Sequence, residues 1–210
     1  MNLANYYYYF KGVLTPRFCN EVLEYGKTHK KETALIGNLK KDTVTKKQIK
    51  DLKKKRDSEI VWLDDPWIYR EIQPYIQEAN KAAKWNFDWN YSEACQFTKY
   101  SSGQYYDWHC DSWHSTYKDS DQGKNGKIRK LSVTISLSDP SEYEGGNLEF
   151  DFRNNADWAE NRKAKVKECT EIRQRGSIIV FPSFCWHRVN PVTRGTRYSL
   201  VIWNLGWPFK

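Results

Sequence analysis

Apolar positions recur at two different periods along this chain, and the change falls near residue 90. Upstream the spacing is helical. Thr15-Pro16 reads as an N-cap and a helix-starting proline, and Phe18, Val22, Leu23 and Tyr25 give the next segment one apolar face that fades near Lys30. Asp65-Pro66 opens a second helix, with its stripe at Trp67, Ile68, Ile72, Tyr75, Ile76, Ala79 and Ala83. Weak helical periodicity also runs over Lys46 to Lys55, through Ile49 and Leu52. SEIVWL, Ser58 to Leu63, reads as a strand, and the tyrosines Tyr6 to Tyr9 as a buried or edge strand.

From Tyr91 the pattern becomes short strands between turn residues, near 93–100, 105–111, 129–137, 146–152, 166–174, 177–181, 185–190 and 196–204. So many strands in the last 120 residues predict a double-sheet jelly roll. The fold class is therefore mainly β with supporting N-terminal helices (α+β). A chain of 210 residues fits one domain, with supporting helices and strands over 1–90 and the jelly-roll core over 91–205. Trp62, Trp67, Trp85 and Trp89 are expected in the core.

Charge changes this picture in one place. The chain carries a net +8, yet Lys27 to Arg56 alone holds twelve Lys or Arg against three Asp or Glu, a net of +9. The rest is close to neutral, so the body of the domain is not a basic nucleic-acid binder. The basic segment reads as a solvated helix and loop, or as a flap that attracts an acidic partner. The cysteines Cys19, Cys95, Cys110, Cys169 and Cys185 are odd in number and scattered, which argues against a disulfide framework and for a reducing, cytoplasmic setting. No apolar run approaches the length of a membrane span, and MNLANYYYYFKG lacks the marks of a secretory signal.

The candidate chemistry sits in WHCDSWH, Trp108 to His114. On a strand His109 and Asp111 point the same way and Cys110 the other, so the pair is a two-ligand unit. A lone HxD is weak evidence. FPSFCWHRVN, Phe181 to Asn190, offers His187 as a third ligand. Two histidines and one carboxylate form a facial triad that leaves a ferrous ion open to a bidentate co-substrate and O2, whereas structural zinc would want four protein ligands. The segment PVTRGTRYS follows. If Val192, Thr193 and Arg194 close a hairpin, His187 pairs with Ser199, and Arg197 faces the same side roughly 7 Å away along the sheet. That offset suits a guanidinium gripping the distal carboxylate of a five-carbon dicarboxylate. Trp113 can face a substrate, and His114 is left as a rim residue on the polar loop Ser112 to Lys127.

These motifs resemble the 2-oxoglutarate and Fe(II)-dependent oxygenases of the prolyl 4-hydroxylase-like branch, and within it the bacterial and phage PKHD-type hydroxylases. Tyr100 to Asp111 completes a Y-x-x-G-x-x-Y-x-x-H-x-D pattern, LSVTISLSDPSEYEGGNLEF looks like the family's strand, loop and Gly-Gly turn, and an arginine follows the distal histidine by ten residues. The resemblance implies a double-stranded β-helix with His109, Asp111 and His187 on iron. It implies Arg197, helped by Tyr100 and Ser199, on 2-oxoglutarate, and Arg129 and Trp203 near the substrate. Several prolyl hydroxylases carry a 2-oxoglutarate-binding tyrosine where this chain has Ser136.

The implied reaction is hydroxylation of a C–H bond coupled to decarboxylation of 2-oxoglutarate to succinate, with Fe(II), O2 and ascorbate as the accompanying requirements. A prolyl residue in a protein or peptide is the expected substrate. A free amino acid, another small molecule or a nucleic acid is the alternative. Nucleic-acid demethylases of this superfamily look to carry a second arginine six residues after the first, where this chain has Trp203. A non-catalytic metal-binding jelly roll is a third reading, and a dicarboxylate clamp beside an open metal argues against it.

Overall fold

The computed structural model describes residues 5–30, 32–33, 51–112, 115–152 and 166–209. Most of the basic segment 27–56, and with it Ile49, lies outside the described residues, as do Trp113 and His114. Among the described residues no helix is long and apolar enough to cross a membrane. All five cysteines are free.

Two antiparallel sheets make the body of the molecule. The larger has nine strands, in the order β1 (Tyr8–Phe10), β12 (Ile178–Pro182), β8 (Ile128–Ser136), β14 (Val192–Gly206), β6 (Cys95–Ser101), β4 (Glu59–Leu63) and β2 (Glu32–Thr33); β5 (Tyr91–Ser92) and β9 (Tyr143–Gly145) also pair with β14. The smaller has five, in the order β11 (Val166–Glu168), β10 (Leu148–Asp151), β13 (Trp186–Val189), β7 (Tyr105–His109) and β3 (Arg56–Asp57). The tyrosine run therefore ends in an edge strand, as its pattern predicts. The strand expected at 166–174 stops at Glu168 and continues as a 3₁₀ turn over Thr170–Arg173.

Two helices cover the outer face of the larger sheet. The first, α1 (Pro16–Thr28), starts where Thr15 caps it, its hydroxyl accepting from the Phe18 N–H at 3.2 Å. The second, α2 (Pro66–Ala82), buries Ile68, Ile72, Ile76 and Ala79 on one face, at roughly 1.5–3 kcal/mol per large side chain. Strand β8 shows how one sheet serves two purposes. Leu131, Val133 and Ile135 pack toward the helices, while the alternate residues Ser132, Thr134 and Ser136 turn inward between the sheets, and all six are buried. The apolar face holds the sheet to its helices, and the hydroxyl-bearing face is available to a polar cavity.

The hairpin expected after His187 does not form. Strand β13 lies between β10 and β7 in the smaller sheet, and β14 lies between β8 and β6 in the larger. His187 pairs with His109 and Phe150, while Ser199 pairs with Ser136 and Thr98. The chain crosses from one sheet to the other at Asn190-Pro191. The reason lies in backbone hydrogen bonding. The four-residue β13 could satisfy only the start of the fifteen-residue β14, whereas β6 and β8 satisfy both of its edges. Trp62 also departs from expectation, because it is 43% exposed with its ring centroid 6.2 Å from that of Trp203, while Trp85 is buried and Trp67 and Trp89 pack against the core.

Candidate active site

His109 ends strand β7, and the strand stops two residues short of its expected end. The N–H groups of Asp111 and Ser112 both donate to the Ser183 carbonyl, at 2.8 and 2.9 Å, and this turn carries the Asp111 carboxylate back toward the histidine. Strand alternation is thus not what brings the two together. Asp111 Oδ1 stands 3.8 Å from His109 Nε2, and Asp111 Oδ2 stands 3.7 Å from His187 Nε2. The donor atoms of these three residues all lie within 4.8 Å of one another.

Each imidazole is oriented by its own backbone. His109 Nδ1 lies 2.8 Å from the Asp107 carbonyl, and His187 Nδ1 lies 3.0 Å from the Cys185 carbonyl. An Nδ1–H donated to each carbonyl leaves both Nε2 lone pairs facing Asp111. Burial, with the neighbouring His187 adding to it, holds the pKa of His109 well below its usual 6.5, so that ring is neutral and free to coordinate. For Asp111, burial alone would push the pKa up. The surrounding histidines, the Arg129 guanidinium and the Ser132 hydroxyl outweigh it, and the carboxylate is held below its usual range. Ser132 Oγ donates to Asp111 Oδ2 at 2.7 Å and lies 2.9 Å from Ser183 Oγ. Two imidazole nitrogens and one carboxylate, with no fourth protein donor in the cluster among the described residues, are a donor set suited to Fe(II) with open positions.

Cys110 takes no part, since its thiol donates to the Ser112 carbonyl at 3.4 Å. Trp108 faces away, with the Arg188 guanidinium 4.7 Å from its ring centroid.

The cluster opens into a pocket between the sheets with about 450 Å³ of atom-free space. Arg197, Tyr100 and Ser199 line it from the larger sheet. Arg197 is 2% exposed, its Nη1 is 3.4 Å from Ser199 Oγ, and its guanidinium lies 5.6 Å from the Tyr100 ring centroid. The sequence brings these three to one pocket through a register that pairs Arg197 with Tyr100, not through the expected hairpin. Trp203 lines the pocket as well, and the Arg129 guanidinium carbon lies over its ring, 3.8 Å from the centroid. Both oxygens of Glu93 accept from Arg129 at 2.7 Å, so this guanidinium is already paired. Ser136 is buried beside Ser199 and bonds weakly to the Ser138 carbonyl at 3.5 Å.

Sequence reasoning misses Arg56 and Gln96. Both line the pocket, and Arg56 Nη2 donates to Gln96 Oε1 at 2.6 Å. Arg56 closes a run of lysines and so gives no sign of being only 5% exposed. The inward face of β8 was legible in principle, because Ser132 alternates with apolar residues.

A family model described as the 2OG-Fe(II) oxygenase superfamily matches residues 95–204. A PKHD-type hydroxylase of Delftia acidovorans is 36% identical over 110 residues, covering 52% of this chain and 42% of that protein. A PKHD-type hydroxylase of Prochlorococcus marinus is 37% identical over 107 residues, covering 51% and 39%. The chain thus spans about two-fifths of the length of the curated relatives it matches. The solved viral collagen prolyl hydroxylase of Paramecium Bursaria Chlorella virus-1, in complex with 2OG, aligns with a TM-score of 0.62 at 22% identity over 97% of both chains. A Pseudomonas putida prolyl-4-hydroxylase aligns with a TM-score of 0.60 at 17% identity, over 96% of this chain and 92% of that one. These structural likenesses establish the double-stranded β-helix fold.

Proposed function

The chain belongs to the 2OG-Fe(II) oxygenase superfamily, and from that membership we propose that it is a 2-oxoglutarate-dependent dioxygenase hydroxylating a prolyl residue in a protein or peptide. One observation carries the reading: the His109, Asp111 and His187 donors share a pocket with the buried Arg197. Bound Fe(II) would supply the oxidative chemistry, coupling O2 and the decarboxylation of 2-oxoglutarate to hydroxylation of a C–H bond.

The chain's own residues do the rest. His109, Asp111 and His187 would hold the metal, with Ser132 and the two backbone carbonyls keeping each donor aimed. Arg197 would bind the distal carboxylate of 2-oxoglutarate, because a buried guanidinium keeps its charge and grips two oxygens at once. Tyr100 and Ser199 complete that end of the pocket. Trp203 supplies a flat wall for the substrate, and the Arg129–Glu93 pair fixes its angle. The prolyl substrate rests on the resemblance to PKHD-type and prolyl hydroxylases. Free cysteines throughout fit a reducing compartment.

The test is succinate formation from 2-oxoglutarate with Fe(II) and O2, followed by mass spectrometry of lysate proteins for prolines that have gained one oxygen atom. Succinate without modified proline would leave the oxygenase and remove the prolyl substrate. No succinate and no 2-oxoglutarate binding would remove the oxygenase itself.

A further inference from the structure

Arg56 stands at the opposite end of the pocket wall from Arg197. It comes from β3, next to Tyr106 on β7, and reaches across to Gln96 on β6 of the larger sheet. Gln96 and Tyr100 both face the pocket from β6, four residues and about 13 Å apart along that strand; Arg56 bonds to the first and Arg197 pairs across from the second. They address different parts of whatever fills the pocket.

Arg56 is nearly buried, yet no described carboxylate pairs with it. Its Nε donates to Ser58 Oγ at 3.0 Å, its Nη2 to Gln96 Oε1 at 2.6 Å, and its guanidinium carbon lies 4.5 Å from the Tyr106 ring centroid. Both acceptors are neutral, and Nη1 has no partner among the described residues. A buried guanidinium without a counter-charge is costly unless a ligand brings one. Trp203 also lines the pocket, and its Nε1 is buried with no acceptor among the described residues. Trp203 is close to this end, since its neighbour on the same face of β14, Val201, pairs with Gln96.

The charges of the described pocket residues say what kind of ligand is wanted. Fe(II) and dianionic 2-oxoglutarate cancel, Asp111 offsets Arg197, and Glu93 already offsets Arg129. Arg56 remains. We propose that Arg56 binds a carboxylate carried by the hydroxylated substrate, with Trp203 Nε1 donating to an oxygen of the same molecule. The inference rests on the oxygenase reading and narrows it to acidic substrates. That carboxylate is either the side chain of an acidic residue next to the target or the α-carboxylate of a free amino acid, and the chemistry at Arg56 is the same.

Binding decides this without turnover. Protein loaded with Mn(II) and 2-oxoglutarate, kept free of O2, is titrated calorimetrically with two matched pairs. One pair is L-proline against L-prolinamide. The other is a blocked Ala-Pro-Asp tripeptide against its Asn counterpart. In one pair the carboxylate should bind at least about tenfold tighter than its amide, as a charge-assisted hydrogen bond requires. The pair that shows the preference identifies the source. Arg56→Gln should bring the ratio close to one. Arg56→Lys, which keeps the charge but not the two-pronged grip, should lower it several-fold.

Equal binding of acid and amide in both pairs overturns the proposal. So does a preference that survives Arg56→Gln, or a loss of 2-oxoglutarate binding in Arg56→Gln as large as in Arg197→Gln. Succinate formation by the wild-type protein is scored separately. If succinate forms and no carboxylate preference appears, the Arg56 site fails alone. If no succinate forms and 2-oxoglutarate does not bind, the oxygenase reading fails.

Discussion

The Tyr106 ring lies flat on the His109 imidazole, with centroids 3.5 Å apart and planes 11° from parallel. Together with the Asp107 carbonyl this contact leaves the imidazole one orientation. Removing such outer support from a metal ligand costs roughly 10–100-fold in metal affinity, and Tyr106→Ala is expected to lose that much. Tyr106→Phe keeps the stack and should stay within a few-fold of wild type. Mn(II) titration of both variants measures the difference, and equal losses would assign the effect to the hydroxyl instead of the stack.

Acid should unfold the metal-free protein in two stages. The pKa of His109 is depressed on folding, so below the unfolded value near 6.5 the unfolded chain binds more protons and stability falls with pH. One such group contributes a slope of at most about 1.4 kcal/mol per pH unit. Asp111 acts lower. Its contribution is complete above the unfolded carboxylate value of about 3.9 and is lost as pH falls toward its folded value of about 2. Denaturant midpoints between pH 7.5 and 5 should fall less steeply in His109→Gln than in wild type. An unchanged slope would mean that other groups carry it.

Arg197→Gln removes a charge from a site only 2% exposed without emptying it. Charge-assisted hydrogen bonds contribute about 1.5–3 kcal/mol, so the apparent KM for 2-oxoglutarate should rise by about one to two orders of magnitude. Mn(II) affinity measured without 2-oxoglutarate should change little. A parallel loss of metal binding would make Arg197 a structural residue of β14.

Gly146 has φ +61°, and a Cβ there would lie 2.9 Å from Arg197 Cδ and 3.0 Å from Val192 Cγ2. Gly146→Ala therefore combines left-handed backbone strain of about 1–2 kcal/mol with pressure on the stem of the clamp. Both a lower melting temperature and weaker 2-oxoglutarate binding are expected. A lower melting temperature with unchanged binding would show that Arg197 gives way freely.

Strand periods and helix caps were legible along the chain because each is a local signal: Thr15 and Pro16 mark one helix start, and the alternation of Leu131, Ser132, Val133 and Thr134 marks a strand with two buried faces. His109, Asp111, His187 and Arg197 were legible as residue types at telling spacings. Their route together was not. Which strand pairs with β14 is decided by hydrogen-bonding edges far apart in sequence, so the local hairpin reading of Val192 to Gly195 fails although its residues are the right ones. Arg56 was hidden for a related reason. A lysine-rich neighbourhood reads as solvated, and only the pairing of Arg56 with Tyr106 takes its side chain inside.

Strand β14 is the only described connection between β6 and β8 within the larger sheet. Until it docks, β6 carries Tyr100 and Gln96 on one fragment, and β8 carries Ser132 on another. His109, Asp111 and His187 come from the smaller sheet and its turn, whereas the arginine that would receive the co-substrate comes on the strand that joins the halves.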